Sequence, residues 1–263
     1  MTRRRGIHRV LYFVRWQLAP VLHALPGHVA LVMRGLRAAA CCGPVMRLQL
    51  AWHAVCIHLC LECGHNPIEV LHIIEEIIEL SPSRPGVVVE CGTFMGGSTA
   101  KLSWAAALTG RKLIVCDSFE GLPDVGMADH VASKRDFRRG EYFGRLDQVQ
   151  ANVARFGRPQ LVGYVVGWFD KSLHELNGIP IACAFWDVDL LDSFRACIRL
   201  LWKNVQPGSK VFIHDIDRQP VVDTFADPLW WKEQMGMEPP RLVGALTGLG
   251  HTSSLIGYAW KSV

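Results

Sequence analysis

The chain has 263 residues, a size that suits one α/β domain with an appended segment rather than two independent domains. Half of its residues are apolar and 20% are charged, which excludes a disordered, collagenous or highly charged solvating chain. The formal net charge is +4, but that charge is unevenly distributed along the sequence.

The first 61 residues carry all of the excess positive charge. They contain eight arginines and no acidic residue, and the first acid is Glu62. A secretory signal peptide does not fit, because Arg9 and Arg15 interrupt the apolar run, and no stretch is long and apolar enough for a membrane span. Such a leader is typical of a transit peptide, a helix on a membrane surface or an accessory substructure that faces an anionic partner.

We expect residues 1–80 to form a basic helical extension and residues 81–263 to form the main domain. Prolines and glycines interrupt the extension before its clearest helix, which begins at Asn66-Pro67 and ends near Leu80. Asparagine suits the N-cap of this helix, proline suits its first position, and its apolar residues recur at helical spacing.

The nine cysteines do not have the pattern of a disulfide framework. Several lie in apolar, strand-like runs, where a free cysteine behaves as a small hydrophobic residue, so we expect a reducing, cytoplasmic compartment. Cys60 and Cys63 have the spacing of half a zinc site, but no second half follows. We favour buried thiols over a metal site there.

An alternation of strands and helices begins after residue 86. The sequence predicts five strands, at 87–89, 112–116, 161–166, 181–186 and 210–213. It predicts helices at 98–108, 142–156 and 192–204. Short buried strands separated by helices are typical of a mostly parallel, doubly wound sheet that is covered on both faces.

Acidic residues recur at the carboxyl ends of the predicted strands. They are Glu90, Asp117, Asp187 and Asp215. Ligands of doubly wound sheets bind beyond these strand ends, at the point where the strand order reverses. We therefore expect a binding site at this edge of the sheet.

The turn after the first strand is rich in glycine and reads E-x-G-x-x-x-G-G-S from residue 90 to residue 98. Gly92, Gly96 and Gly97 permit close approach of the backbone to a ligand, while Glu90 can accept a hydrogen bond from an amine or hydroxyl. The pattern is not the G-x-G-x-x-G of dinucleotide-binding proteins. It suits a nucleoside without a pyrophosphate, and it disfavours a nicotinamide-dependent dehydrogenase.

Asp117 lies 25 residues beyond Gly92, close to the spacing at which a doubly wound fold directs a carboxylate to ribose hydroxyls. Phe119 follows it and is free to cover a base. The spacing therefore predicts a nucleoside site that spans the first two strand ends.

The chain from residue 87 to about residue 218 resembles the S-adenosylmethionine (SAM)-dependent O-methyltransferases of the macrocin O-methyltransferase (TylF/MycF) type. Five motifs agree in the same order, at 90–98, 117–123, 148–157, 167–173 and 187–208. The first two are E-x-G-x-x-x-G-G-S and D-S-F-x-G-L-P, and the last is D-x-D followed by a P-G turn.

The resemblance implies a class I methyltransferase with a seven-stranded Rossmann-like sheet, in which the last strand, near 254–261, is antiparallel beside strand six. It implies that Asp117 binds the ribose hydroxyls of SAM and that Phe119 and Trp168 flank the adenine, although Trp168 fits a core position equally well. The remaining residues of the implied cofactor site are Glu90, Gly92, Gly96, Gly97, Ser98 and Ser118.

The resemblance also implies a divalent cation, held in the family by an Asp after strand four and an Asp-Asp pair after strand five. The matching residues are Asp187, His214 and Asp215, so an imidazole replaces one carboxylate. Mg²⁺ prefers oxygen ligands, whereas histidine favours softer transition metals. Three readings remain open: Mg²⁺ held with help from Asp189 or Asp217, a metal such as Mn²⁺, or no metal.

Methyl transfer to a hydroxyl requires a group that accepts its proton, and a cation that lowers the pKa of the hydroxyl assists. By the family match, Asp187 is the first candidate for ligand and base, and His214 is the second. His251, in a glycine-rich loop, is a weaker candidate.

We therefore expect an O-methyltransferase that acts on a hydroxyl of a sugar-containing or polyketide-like small molecule or of a glycan precursor. The alternative is a non-catalytic protein that binds SAM or its demethylated product, S-adenosylhomocysteine (SAH), or that serves in assembly, with a degenerate metal site. The basic extension would be a lid, a homodimer contact or a contact with an anionic membrane. No nucleic acid is expected, because Asp136, Glu141 and Asp147 dilute the basic stretch 134–145.

Overall fold

The computed structural model describes residues 43–126, 129, 137–249 and 256–262, together with residues 18, 19 and 22. Seven of the eight arginines of the leader lie outside the described residues, as do His251 and most of the stretch 127–136. The predictions made for those residues are not examined by the structure.

Seven strands form one sheet in the order β3-β2-β1-β4-β5-β7-β6. The strands are β1 Val87–Cys91, β2 Leu113–Asp117, β3 Val162–Val166, β4 Ile181–Trp186, β5 Lys210–Ile213, β6 Leu242–Val243 and β7 Gly257–Trp260. Strands β1 to β5 pair in parallel, and β7 is antiparallel to both β5 and β6. The predicted doubly wound sheet with its antiparallel last strand is confirmed, and the strand order reverses between β1 and β4.

Eight α-helices lie in the described part of the chain. They are α1 Pro44–Cys60, α2 Pro67–Glu79, α3 Gly97–Leu108, α4 Leu146–Phe156, α5 Phe169–Ser172, α6 Leu191–Leu201, α7 Gln219–Ala226 and α8 Pro228–Met235. Short 3₁₀ segments at Pro159–Leu161, Leu173–Leu176 and Trp202–Asn204 follow α4, α5 and α6.

Helix α4 begins four residues later than the sequence predicted. The preceding residues are bound to another loop instead: Leu122 donates to the carbonyl of Glu141 at 2.8 Å, and Gly140 donates to the carbonyl of Leu122 at 2.9 Å. Gly144 then packs so closely on the backbone of Phe94 that a Cβ at this position would lie 1.9 Å from the Phe94 carbonyl oxygen. This packing explains why residues 142–145 do not join the helix.

Helix α2 begins as predicted, and two reciprocal hydrogen bonds cap its N-terminus. The Asn66 side chain accepts from the backbone N–H of Ile68 at 3.1 Å, and Glu69 Oε2 accepts from the backbone N–H of Asn66 at 2.7 Å. This arrangement is a capping box. The apolar face of α2, including Ile73 and Ile77, is buried in the same core as the central strands. Helix α2 therefore packs as part of the sheet's core, although the sequence analysis had assigned it to the extension of residues 1–80.

Helix α1 is apolar on both of its faces. One face buries Leu50, Ala54 and Ile57, while the opposite face exposes Leu48 and Trp52, the latter by 67%. Within the described part of the chain, no helix is both long enough and apolar enough to cross a bilayer.

Candidate active site

A cavity of about 390 Å³ opens beyond the carboxyl ends of β1, β2, β4 and β5, where the strand order reverses. Its wall contains nine of the predicted site residues: Gly92, Gly97, Ser98, Asp117, Ser118, Trp168, Asp187, His214 and Asp215. Glu90, Gly96 and Phe119 are not part of this wall. The structure therefore brings most of the predicted site together at the predicted edge.

Gly92 holds two strand ends together. Its φ is +84°, and a Cβ at this position would lie 1.8 Å from the carbonyl oxygen of Asp187. No side chain fits there, so glycine is required both by the backbone conformation and by the close approach of β1 to β4. Gly96, with φ of +81°, forms the N-cap of α3 behind the wall.

Glu90 lies within β1 and is fully buried, because that strand continues two residues beyond the predicted end. Its Oε2 accepts from the hydroxyl of Thr99 at 2.5 Å. Burial raises the pKa of the Glu90 carboxyl to about 8, even though hydrogen bonds from Ser98 and Thr99 oppose the shift. Glu90 is therefore mostly protonated at neutral pH, and its contact with a cofactor stays a prediction.

Asp117 joins the first two strand ends. Its Oδ2 accepts from the backbone N–H of Thr93 and its Oδ1 accepts from the backbone N–H of Phe119, both at 2.8 Å. Burial raises the pKa of this carboxyl, and the backbone hydrogen bonds oppose the shift. The backbone N–H groups of Phe94 and Ser118 also interact with this carboxylate. Asp117 lines the cavity, and its contact with ligand hydroxyls stays a prediction.

The two predicted adenine contacts differ in their surroundings. The Phe119 ring packs behind the wall against Val149 and Val153 of α4, with its centroid 6.2 Å from that of Tyr164. The Trp168 side chain is half-buried and lines the cavity at the start of α5. The structure thus favours Trp168 over Phe119 as the ring that can contact a ligand.

His214 lies between two carboxylates. Its Nδ1 is 3.1 Å from Asp187 Oδ1 and 3.3 Å from Asp215 Oδ1. Burial alone would lower the pKa of His214, but these two carboxylates outweigh it and raise the pKa well above its usual value. Neither ring nitrogen makes a well-aligned hydrogen bond to the described residues.

The same three residues form a candidate cation site. One donor atom from each of Asp187, His214 and Asp215 can be chosen so that all three lie within 4.8 Å of one another. A set of one nitrogen and two carboxylate oxygens fits a divalent transition metal. Asp189, which also lines the cavity, is buried, and burial followed by the charges of Asp215 and Asp187 raises its pKa well above the usual value.

Residues that the sequence analysis did not assign to the site form another wall. Glu62, Cys63, Gly64 and His65, from the loop between α1 and α2, line the cavity. The buried Lys101 of α3 holds this loop, because its Nζ lies 3.1 Å from His65 Nε2 and 3.5 Å from Cys63 Sγ. All described cysteines are free thiols. Among the described residues, the zinc half-site spacing of Cys60 and Cys63 corresponds to no cluster of metal ligands.

Five non-glycine residues in the cavity wall or directly behind it have a left-handed backbone. They are Phe94, Phe119, Tyr142, Asp189 and Asp215, with φ between 50° and 57°. This conformation is unfavourable for residues with a side chain and is found at functional sites when the surrounding structure imposes it. The loops at the strand ends are therefore held in strained shapes.

The strand order and the cavity at the carboxyl edge define a Rossmann-like fold of the methyltransferase type. The O-methyltransferase NovP superposes with a TM-score of 0.59 at 21% identity, over 77% of this chain and 84% of that chain. The calicheamicin methyltransferase CalS11 superposes with a TM-score of 0.56 at 17% identity, over 89% and 91%. At these identities the likeness shows the fold alone.

The chain belongs to the macrocin O-methyltransferase (TylF) family, whose sequence model matches residues 64–240. It is 35% identical over 144 residues to the 8-demethyl-8-(2,3-dimethoxy-alpha-L-rhamnosyl)-tetracenomycin-C 4'-O-methyltransferase of Streptomyces olivaceus, covering 52% of this chain and 55% of that protein. It is 26% identical over 157 residues to the demethyldecarbamoylnovobiocin O-methyltransferase of Streptomyces niveus, covering 56% and 60%. The chain thus spans little more than half the length of these curated relatives.

We predict that Glu90 makes the stability of the protein fall as the pH rises. The pKa of its carboxyl is about 8 in the folded protein and 4.5 ordinarily. At a pH between these two values, the unfolded chain therefore binds fewer protons than the folded protein. The stabilisation is fully present below the lower pKa and is lost as the pH rises through the higher one. Urea unfolding at about pH 5 and about pH 8.5 should show a smaller loss of stability for Glu90→Gln than for the wild type.

The matched control is Glu233→Gln, an exposed carboxyl on α8. This variant should keep the pH dependence of the wild type. Equal slopes for Glu90→Gln and the wild type would contradict the assignment of a raised pKa to Glu90.

Proposed function

We propose that this protein is a SAM-dependent O-methyltransferase whose acceptor is a hydroxyl of a sugar-containing or polyketide-like small molecule or of a glycan precursor. The observation that carries the proposal is that the glycine turn, Asp117 and the cluster around His214 line one cavity at the carboxyl edge of a methyltransferase-type sheet. The family supports the reaction class, and the name of the tetracenomycin relative supports a glycosylated acceptor.

The cavity wall offers each part of SAM a complementary group. Gly92 and Gly97 leave the backbone accessible near the methionine part, and Asp117 accepts hydrogen bonds from the ribose hydroxyls. Trp168 presents an aromatic ring for the adenine. When bound, SAM supplies an electrophilic methyl group on a sulfonium centre.

Asp187 is the proposed proton acceptor for the hydroxyl of the second substrate. His214 is the weaker candidate, because its two carboxylate neighbours favour the protonated imidazole, which cannot accept a proton. Both line the cavity, with side chains that are 20% and 8% exposed. A positioned base removes the hydroxyl proton as the new carbon–oxygen bond forms, a contribution of roughly 10²-fold to 10⁴-fold in rate.

We also propose that Asp187, His214 and Asp215 hold a divalent cation. The convergence of their donor atoms and the absence of well-aligned hydrogen bonds to the described residues at the His214 ring support a ligand role. The imidazole favours Mn²⁺ or another transition metal over Mg²⁺. A cation here would lower the pKa of the acceptor hydroxyl and orient it.

A second candidate function rests on the same histidine. Because His214 stands where the family has a carboxylate, the chain could bind SAM or SAH without catalysing transfer. A failure to methylate any acceptor, in a protein that binds SAM, would favour this alternative.

The N-terminal segment provides a further proposal, a peripheral contact with an anionic membrane. The exposed face of α1 is apolar, and the 43 residues before it contain seven arginines and no acid. Two copies that met at this face would bring two cationic segments together, whereas an anionic lipid surface would attract both the charge and the apolar face. A homodimer is the competing use of the same face.

For the cofactor, we predict that the full-length protein binds SAM and SAH with micromolar affinity in calorimetric titrations. Asp117→Ala should weaken binding at least about tenfold, because it removes the carboxylate that faces the ribose hydroxyls and joins β1 to β2. Asp147→Ala, which removes an exposed carboxyl on α4, is the control and should bind normally. No binding by the wild type would refute the methyltransferase proposal.

For the chemistry, an acceptor would be found by screening glycosylated polyketides for transfer of a labelled methyl group from SAM. We predict that Asp187→Asn lowers kcat at least about a hundredfold and that His214→Ala lowers it at least about tenfold. Asp223→Asn, on the exposed side of α7, should leave kcat unchanged. Normal transfer by both site variants would rule out the mechanism with a base and a cation.

For the membrane contact, we predict that the protein pellets with phosphatidylglycerol vesicles at low salt and is released at high salt, because the attraction is screened. Replacing Leu48 and Trp52 by serine should reduce the pelleted fraction, while Leu229→Ser, at an exposed leucine on α8, should not. Failure of the wild type to pellet would remove the proposal. If the double variant instead dissociated a dimer, α1 would be a homodimer contact.

A further inference from the structure

His214 has a third carboxylate neighbour, on the side of its ring away from Asp187 and Asp215. Glu69 Oε2 lies 3.6 Å from His214 Nε2, which is an ion-pair distance, and both side chains are almost completely buried. The two ring nitrogens therefore face carboxylates in opposite directions. This contact joins residues 145 positions apart in the sequence.

Glu69 is held in place by its own helix. It is the third residue of α2, and its Oε2 also accepts from the backbone N–H of Asn66 in the capping box. The first turn of α2 is packed into the core, so the carboxylate has little freedom to move. The buried Lys101 interacts electrostatically with Glu69 and contributes a nearby positive charge.

Metal-bound histidines generally donate their second ring N–H to a carboxylate or carbonyl, which fixes the tautomer and the ring orientation. We infer that Glu69 is a positioning residue of this kind. Its carboxylate attracts the His214 Nε2–H across 3.6 Å, an ion-pair contact rather than a hydrogen bond, and so favours the tautomer whose Nδ1 lone pair faces Asp187 and Asp215. The site thereby selects a cation that accepts an imidazole ligand, such as Mn²⁺, over Mg²⁺. This inference rests on the cation site proposed above.

A purely structural role for Glu69 makes a different prediction. If Glu69 served only as half of the capping box, removing the other half at Asn66 would have the same effect on the cation site. If Glu69 acts through the imidazole, its effect must depend on the presence of His214. The two explanations are therefore separable by a control at Asn66 and by a double-mutant cycle.

The experiment titrates the full-length protein with Mn²⁺ and with Mg²⁺ by calorimetry. We expect the wild type to prefer Mn²⁺ and Glu69→Ala to lose at least about tenfold in Mn²⁺ affinity, with a smaller loss for Mg²⁺. The Mn²⁺ affinity of Glu69→Gln, which keeps an oxygen for the capping box, should lie between those of the wild type and Glu69→Ala. Asn66→Ala should change Mn²⁺ affinity less than about threefold.

The double-mutant cycle uses His214→Asp, which restores a carboxylate at this position. In that background Glu69→Ala should change Mn²⁺ affinity less than about twofold. Pulsed electron paramagnetic resonance of bound Mn²⁺ provides an independent readout, since coupling to an imidazole nitrogen should be present in the wild type, absent in His214→Asp and altered in Glu69→Ala. Thermal unfolding and SAM binding report whether each variant is folded.

Each result decides a different question. If the wild type binds neither cation, the cation site and the inference both fail. If the wild type binds Mn²⁺ but Glu69→Ala and Glu69→Gln bind it equally well, only the inference fails. The inference also fails if Asn66→Ala has the effect of Glu69→Ala, or if Glu69→Ala acts equally in the His214→Asp background.

Discussion

The site depends on how its negative charge is neutralised. Parallel strands end at one edge of the sheet, so their terminal acids come close together in a partly buried cavity, where like charges repel strongly. The imidazole of His214 lies 3.1 Å from Asp187 and 3.3 Å from Asp215, and these carboxylates favour its protonated form. Burial raises the pKa of Glu90 to about 8, so that this carboxyl is mostly protonated at neutral pH, and Asp117 is stabilised by backbone N–H groups. Each acid is thus accommodated differently.

The sheet could be predicted from the sequence because its signals are local. The strands are short apolar runs, the turn after β1 contains three glycines, and an acid stands at or near the carboxyl end of β1, β2, β4 and β5. The position of Gly92, Asp117 and Asp187 in the cavity wall could also be predicted, because residues at the carboxyl ends of parallel strands lie at the edge of the sheet where ligands bind. Strand β6 was missed because two residues, Leu242–Val243, are too few to show any periodicity.

The parts that could not be predicted depend on contacts between distant segments. The sequence indicated the N-cap at Asn66, but the approach of Glu69 to His214 depends on how α2 packs on the sheet. The same is true of Lys101, which organises the loop at His65 from a neighbouring helix. The packing of the Phe119 ring against α4 was not predicted either, because the path of the loop, not its composition, sets the direction of the ring.

The strained loops around the cavity have a consequence for the evolution of the protein. A left-handed residue other than glycine costs about 1–3 kcal/mol, and Phe94, Phe119, Asp189 and Asp215 all have this conformation. Glycine would relieve the backbone strain at Asp189 and Asp215, so stabilising substitutions are accessible at these two acids by mutation. At Phe119 the gain would be offset by the loss of a ring that packs in a core cluster. Selection for stability alone would therefore erode the two acids. Retention of these residues among variants of this protein would therefore be a sign of selection for binding or catalysis.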